Sequence, residues 1–167
     1  LAAHCIEKAD IILVQLEIPI ETVAYISSVA ASLGKKILLN PAPACTLSDE
    51  LLKDVSIITP NETEALMLTG IKVTDELTAR DAAISLHDKG IATVIITLGA
   101  KGALVLHENI FSLVKVPEVK AIDTTAAGDI FNGALGVALS ENRTMIGAVE
   151  FACKAASISV TRMGAQA

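Results

Sequence analysis

Ala92-Thr93-Val94-Ile95-Ile96-Thr97 sets five β-branched side chains in succession after Ala92. Branching at Cβ suits an extended backbone and crowds a helix. The run shows no polar alternation, so it describes a strand covered on both faces, the condition of a parallel sheet between helices. Upstream, Thr78 to Lys89 reads as a helix stopped by Gly90, and Pro60-Asn61 opens another that Gly70 closes. Val55 to Ile58, Lys36 to Asn40 and Asp10 to Leu16 read as further buried strands, with Pro19 after the last and Pro41-Ala42-Pro43 after the second. Between these two, Val23, Ile26, Ala30 and Leu33 recur at helical spacing up to Gly34, and a short helix near Ser48 to Lys53 leads to the Val55 strand.

Downstream the rhythm changes. Ala103 to His107 and Phe111 to Val116 pattern as an antiparallel hairpin turning at Glu108-Asn109. Helices follow over about Ala127 to Ser140 and Thr144 to Thr161, the second with Ile146, Val149, Cys153, Ala156 and Val160 on one face. Strands alternating with helices imply parallel βαβ units under right-handed crossovers. The expected fold class is α/β, a three-layer α/β/α sandwich with a mainly parallel sheet. Ligands of such sheets sit at the carboxyl ends of the strands, which singles out the loops after Leu16, Asn40, Ile58 and Thr97.

Composition narrows the function classes. The 167 residues are 52% hydrophobic but only 2% aromatic, with a mean hydropathy of +0.58. A membrane-spanning helix needs roughly 18 nearly uncharged apolar residues. The longest run without charge is the 13 residues from Thr22 to Gly34, and it holds three serines. A net charge of −6, with no basic run longer than Lys35-Lys36, argues against non-specific nucleic-acid binding. Cys5, Cys45 and Cys153 are odd in number and widely spaced, which argues against both a disulfide framework and a zinc site. With neither a basic start nor a signal-like apolar core, the expected location is the cytoplasm, and the length favours one domain. Leu1 in place of Met suggests part of a longer chain.

The dinucleotide motif G-x-G-x-x-G and the P-loop motif G-x-x-x-x-G-K-[ST] are both missing. His4, His87 and His107 lie far apart without ligand spacing and read as structural or surface residues. The informative segment is Asp123-Thr124-Thr125-Ala126-Ala127-Gly128-Asp129-Ile130-Phe131-Asn132-Gly133. Two readings of it stand. In one, Asp129 complements the positive end of a helix. In the other, Ala126, Ala127 and Gly128 offer backbone N–H groups to an oxyanion that no large side chain obstructs, and Asp129 takes a proton from a hydroxyl held alongside. Asn61 and Glu64 likewise have two readings, because Asn with Glu three residues on is a capping box. Thr97 to Gly102 serves equally as a strand-to-hairpin turn.

Together these segments resemble the ribokinase-like family of carbohydrate kinases. The blocks are Asn40-Pro41-Ala42-Pro43, Thr59-Pro60-Asn61-Glu62-Thr63-Glu64, Thr97-Leu98-Gly99-Ala100-Lys101-Gly102, the Asp123 to Gly133 segment and Thr161-Arg162-Met163-Gly164-Ala165-Gln166. They stand in the family's order and at similar spacings across nearly the whole chain. The resemblance implies ATP-dependent phosphorylation of a sugar's primary hydroxyl, with D-ribose to ribose 5-phosphate expected first. Asp129 matches the catalytic base, which also binds substrate, and Ala126, Ala127 and Gly128 match the anion hole for the transferring phosphoryl group. Asn61 and Glu64 match residues facing the ATP phosphates, with Glu64 on Mg²⁺ through water. Thr97, Leu98, Gly99, Ala100, Lys101 and Gly102 would run along the nucleotide, with Gly99 and Gly102 allowing close contact. Gly128 and Asp129 also belong to the implied ATP site, as does Cys153 beside the adenine, where the family is expected to carry a more polar side chain such as His. Glu17 matches a carboxylate that contacts the sugar. Asp123, Thr125, Ser159, Arg162 and Gly164 match the site of an activating K⁺, held mostly by backbone carbonyls.

The chain departs from the family in length. Members are nearly twice as long, and their N-terminal part carries most sugar-binding residues and a β-sheet lid that mediates homodimerisation. Residues 1–167 are therefore expected to form a single partial domain, the ATP-binding and catalytic-base portion, inactive or nearly so alone. ATP and a small sugar are the expected partners, with no nucleic acid and no membrane. A kinase for another sugar, a nucleoside or a vitamin precursor is the neighbouring reading, and a non-catalytic nucleotide-binding module the third. A partial sheet should also leave an apolar strand edge and some helix surface without cover.

Overall fold

The computed structural model describes residues 2–116 and 118–165, excepting the side chains of Ala2 and Ala3. Gln166, quoted with the last motif, lies outside them. The chain runs α1 (Ala2–Lys8), β1 (Ile11–Val14), α2 (Ile20–Ser32), β2 (Lys36–Leu39), α3 (Asp49–Lys53), β3 (Ile57–Ile58), α4 (Glu62–Thr69), α5 (Glu76–His87) and β4 (Thr93–Thr97). A single 3-10 turn, Gly99–Lys101, leads to β5 (Ala103–His107) and β6 (Ile110–Val114), then α6 (Ala127–Ser140) and α7 (Met145–Ser159).

The six strands form one sheet in the order β1-β2-β3-β4-β5-β6. β1 to β4 are parallel neighbours, and β4-β5-β6 is antiparallel. Side-chain alternation distributes the strands between two cores. Ile37, Leu39, Ile58, Val94, Ile96, Leu104 and Leu106 pack with residues of α1 to α5. Leu38, Ile57, Ile95, Ala103, Val105 and Val114 pack with α6 and α7. This is the three-layer sandwich expected from the continuous apolar runs. Small residues let the helices approach closely: α5 buries Ala79, Ala82 and Ala83, and α7 buries Ala148 and Ala152.

Element ends differ from the sequence expectation where local hydrogen bonds decide them. α5 starts two residues before Thr78, because Asp75 caps it and exchanges bonds reciprocally with Thr78. β3 is only two residues long because Val55 N–H still closes the α3 turn onto Leu52 O. α1 had no amphipathic signal, and Ile6 is its one buried residue among those described. The hairpin turns as expected at Glu108 and Asn109, both left-handed at φ 50° and 61°, the pair of positive φ values that a two-residue hairpin needs.

Gly102 is demanded by packing. A Cβ there would lie 1.9 Å from Val114 O, and its φ is 98°. β1 pairs only with β2 among the described residues, and its own Leu13 is 41% exposed, as Val137 of α6 is at 53%. No helix among the described residues is long and apolar enough to cross a membrane.

Gly102→Ala is expected to lower unfolding free energy by about 3 kcal/mol, measured by urea denaturation; unchanged stability would refute the packing argument. The 167-residue chain by itself is expected to self-associate through the β1 edge. Light scattering after size exclusion would refute this by returning a concentration-independent monomer.

Candidate active site

The strands β2, β3 and β4 end at one side of the sheet, and a cavity of about 760 Å³ opens there, within the range of small-ligand sites. Asn40 and Thr59 reach it from β2 and β3, and Thr97 from the end of β4. α6 closes it with Ala126, Ala127, Gly128 and Asp129.

The α6 N-terminus has an unusual entry. Ala126 is its cap at φ 59°, ψ 13°, left-handed although it carries a Cβ, a conformation that costs about 1–2 kcal/mol. Its side chain accepts no capping bond. Ala127 N–H reaches Thr124 O at a long 3.3 Å. Among the described residues the N–H groups of Ala126, Gly128 and Asp129 have no backbone acceptor. A left-handed residue beside a right-handed one gathers such donors into a concave anion nest at the positive end of the helix. A Cβ on Gly128 would meet nothing within 4 Å, so the approach to this nest is open.

Asp129 lies in the first turn of α6. Gln15 Nε2, just past β1, donates to its Oδ1 at 2.7 Å across 114 residues of sequence. One turn on, Asn132 is buried at 3% exposure. Its Nδ2 donates to Gly128 O at 2.9 Å, and its Oδ1 accepts from Thr59 Oγ1 at 2.6 Å.

Asn61 and Glu64 form the capping box that opens α4, and both also border the cavity. Asn61 Oδ1 accepts from the N–H groups of Thr63 and Glu64. Glu64 Oε2 accepts from Asn61 N–H and Oε1 from Asn61 Nδ2, each at 2.9 Å. The capping box is complete, and both residues line the cavity. Burial pushes the Glu64 carboxyl above its usual range, opposed by the Asn61 hydrogen bonds. No cationic side chain pairs with it among the described residues. A buried carboxylate without a counter-charge suits a site that receives a cation.

Of the Thr97 to Gly102 block, Thr97, Gly99, Ala100 and Gly102 line the cavity. Leu98 turns into the core, and Lys101 lines a separate small groove with Asp75 and Glu76. Glu17 is exposed and outside the cavity lining. Cys153 lies at the cavity wall, 5% exposed. Burial, and then Glu150, push its thiol up to about 11.

The Asp123 loop and the end of α7 come together. Asp123 Oδ1 accepts from Thr125 N–H at 2.9 Å and Oγ1 at 2.6 Å, and Oδ2 accepts from Gly164 N–H at 2.9 Å. Those bonds hold its carboxyl below the ordinary range, the Thr125 hydroxyl first. Arg162 N–H closes onto Ser159 O at 3.1 Å. No cluster of three or more His, Cys, Asp or Glu suited to a metal ion occurs among the described residues. His87 and His107 bond structural partners, Ile91 O and Thr93 Oγ1.

The family model described as pfkB family carbohydrate kinase matches residues 2–167. The chain belongs to the pfkB family. Over 161 residues it is 52% identical to a ribokinase of Haemophilus influenzae, which covers 96% of this chain and 53% of that protein. It is 37% identical over 166 residues to a deoxyribokinase of Salmonella typhi, covering 99% of this chain and 54% of the relative. An Arabidopsis thaliana ribokinase, whose structure is complexed with ribose and ATP, superposes with a TM-score of 0.93 at 29% identity, over 98% of this chain and 54% of that one. The pfkB chain thus spans about half the length of the relatives it matches.

Sequence reasoning missed Gln15 and left Thr59 and Asn132 without roles. Strand parity put Gln15 on the face of Ile11 and Leu13, but nothing in the sequence pairs it with Asp129. Cys153 is expected to react last of the three thiols with a disulfide reagent at pH 8, about tenfold or more behind exposed Cys5. Mass spectrometry of partly labelled protein checks the order, and early labelling of Cys153 would contradict its raised thiol.

Proposed function

We propose that this chain carries the ATP-binding and catalytic-base portion of a kinase that phosphorylates the primary hydroxyl of a sugar, with D-ribose the first candidate. The observation that carries this reading is the open nest of N–H groups at Ala126 to Asp129, with the Asp129 carboxylate beside it. Membership of the pfkB family and the 52% identity to a ribokinase support the reaction class. Likeness to a ribokinase structure holding ribose and ATP supports the substrate pair.

In this mechanism Asp129 takes the proton of the sugar hydroxyl as the oxygen bonds to the γ-phosphorus of ATP. The bond from that phosphorus to the β–γ bridging oxygen breaks, and its electrons leave with ADP. The N–H groups of Ala126, Ala127 and Gly128 steady the transferring phosphoryl oxygens, a reaction in which positioning and charge stabilisation do most of the catalysis. Asn61 and the Thr97, Gly99, Ala100 and Gly102 wall line the nucleotide site, with apolar Cys153 beside the base. Glu64, a buried carboxylate lacking a counter-charge among the described residues, would hold Mg²⁺ through water, and Mg²⁺ when bound would neutralise charge on the phosphate oxygens. Asp123, Thr125, Ser159, Arg162 and Gly164, of which Asp123 and Gly164 are joined by a hydrogen bond, would hold K⁺, a hard cation, mostly through backbone carbonyls. Glu17, three residues past β1 and outside the cavity lining, would meet the sugar from its rim. The 37% identity to a deoxyribokinase keeps deoxyribose as the second substrate reading.

The test is Asp129→Asn in the complete natural polypeptide, assayed with ATP, Mg²⁺ and K⁺ across a panel of sugars. Turnover is expected to fall about 100- to 10,000-fold, with ATP affinity by calorimetry little changed. Turnover near the parent's would sink the assignment, and the best sugar in the panel decides between ribose and deoxyribose.

A further inference from the structure

Gln15 is the one polar side chain that reaches Asp129 from outside its own helix among the described residues, and the reading above assigns it nothing. Its backbone is clamped on both sides. Val14 O accepts from Asn40 N–H at 2.9 Å, and Leu16 N–H donates to Ala42 O at 2.8 Å. Side-chain alternation along β1 does the rest. Val14 and Leu16 pack into the core on the far side of the sheet, while Ile11 belongs to the α6 side. Gln15, on the parity of Ile11, is thereby aimed at the first turn of α6.

The chemistry of the contact is selective. An amide NH₂ can only donate to a carboxylate, and Nε2 engages Oδ1 alone. One carboxylate oxygen is anchored, while Oδ2 accepts no hydrogen bond among the described residues, and Asp129 lines the cavity. Glu at this place would have the same shape but would set a second anion against Asp129. The bond lies in an exposed part of the site, where water competes for both partners, so it adds little to stability. What it restricts is the rotation of the Asp129 side chain.

We propose that Gln15 is a positioning residue for Asp129, holding the carboxylate in the orientation that presents its free oxygen to the substrate hydroxyl. The proposal rests on Asp129 being the general base. Misplacing a reacting group by about 1 Å costs roughly 100-fold in rate, and loss of one restraint on a carboxylate should cost part of that.

Gln15→Met keeps the length and removes the donor. In the complete natural polypeptide it is expected to lower kcat roughly 10-fold with KM for ATP within about two-fold. Gln15→Glu, which preserves shape, should lose at least as much, whereas a packing role would tolerate it. In the Asp129→Asn background Gln15→Met should bring no further loss, since the group it positions is gone. A Gln15→Met enzyme with parental kcat, beside an inactive Asp129→Asn, overturns the positioning role and leaves the base assignment standing. An active Asp129→Asn overturns both. A second readout needs no turnover. The chain has two glutamines, Gln15 and Gln166, so the Gln15 side-chain amide is readily assigned by NMR. Asp129→Ala should shift that amide resonance in this chain, and an unmoved resonance overturns the contact.

Discussion

Thr59 Oγ1 donates to Asn132 Oδ1 at 2.6 Å, and Asn132 Nδ2 donates to Gly128 O at 2.9 Å. Thr59 is 2% exposed and Asn132 3%. This buried link joins the end of β3 to the first two turns of α6. Apolar packing alone would hold α6 on the sheet without fixing its position along the strands, because hydrophobic contact is non-directional. A buried hydrogen bond is directional, and leaving one partner unmet costs about 1–3 kcal/mol. The link therefore sets where the α6 N-terminus stands relative to the strand ends, and the geometry at Gly128 and Asp129 follows from it.

Around that anchor the site residues accept conditions that packing would not choose. Ala126 is left-handed with a Cβ, and Glu64 is a buried carboxylate without a cationic partner among the described residues. Both features face the same cavity. Strain and unsatisfied charge held by surrounding structure are characteristic of places that wait for a ligand. The capping box of Asn61 and Glu64 illustrates how one pair serves two ends. Its bonds start α4, and by doing so they hold a carboxylate at the cavity wall.

Much of the architecture was legible from pattern alone. α6 begins and ends where its sequence suggested, since tiny residues precede it and apolar spacing carries it to Ser140. The Glu108-Asn109 turn and the continuous β4 run were equally plain. Helix α1 was not, because its seven residues, with Ile6 the one buried side chain among those described, make no amphipathic signal. The α5 start is set by Asp75, whose bonds with Thr78 join residues three apart ahead of the apolar spacing. At the site, the Asp123 to Gly133 segment announced itself through its small residues, but the individual duties of its neighbours did not. The family resemblance implies a nucleotide contact for Gly102. It also lines the cavity, yet its lack of a Cβ is enforced by the backbone of Val114 on β6.

The sequence by itself determined the α/β layering, the order of helices and strands from β1 onward, and the candidate segment at the α6 entry. Each depends on local propensity or on periodicities of two and 3.6 residues, which neighbours in the chain already express. Only the tertiary structure decided that Gln15 meets Asp129, that Thr59 meets Asn132, and that Leu98 and Lys101 turn away from the cavity while Gly99 and Ala100 face it. Those contacts join residues separated by up to 114 positions, or depend on the twist of a single turn. Their energies arise from three-dimensional register, which no local pattern encodes.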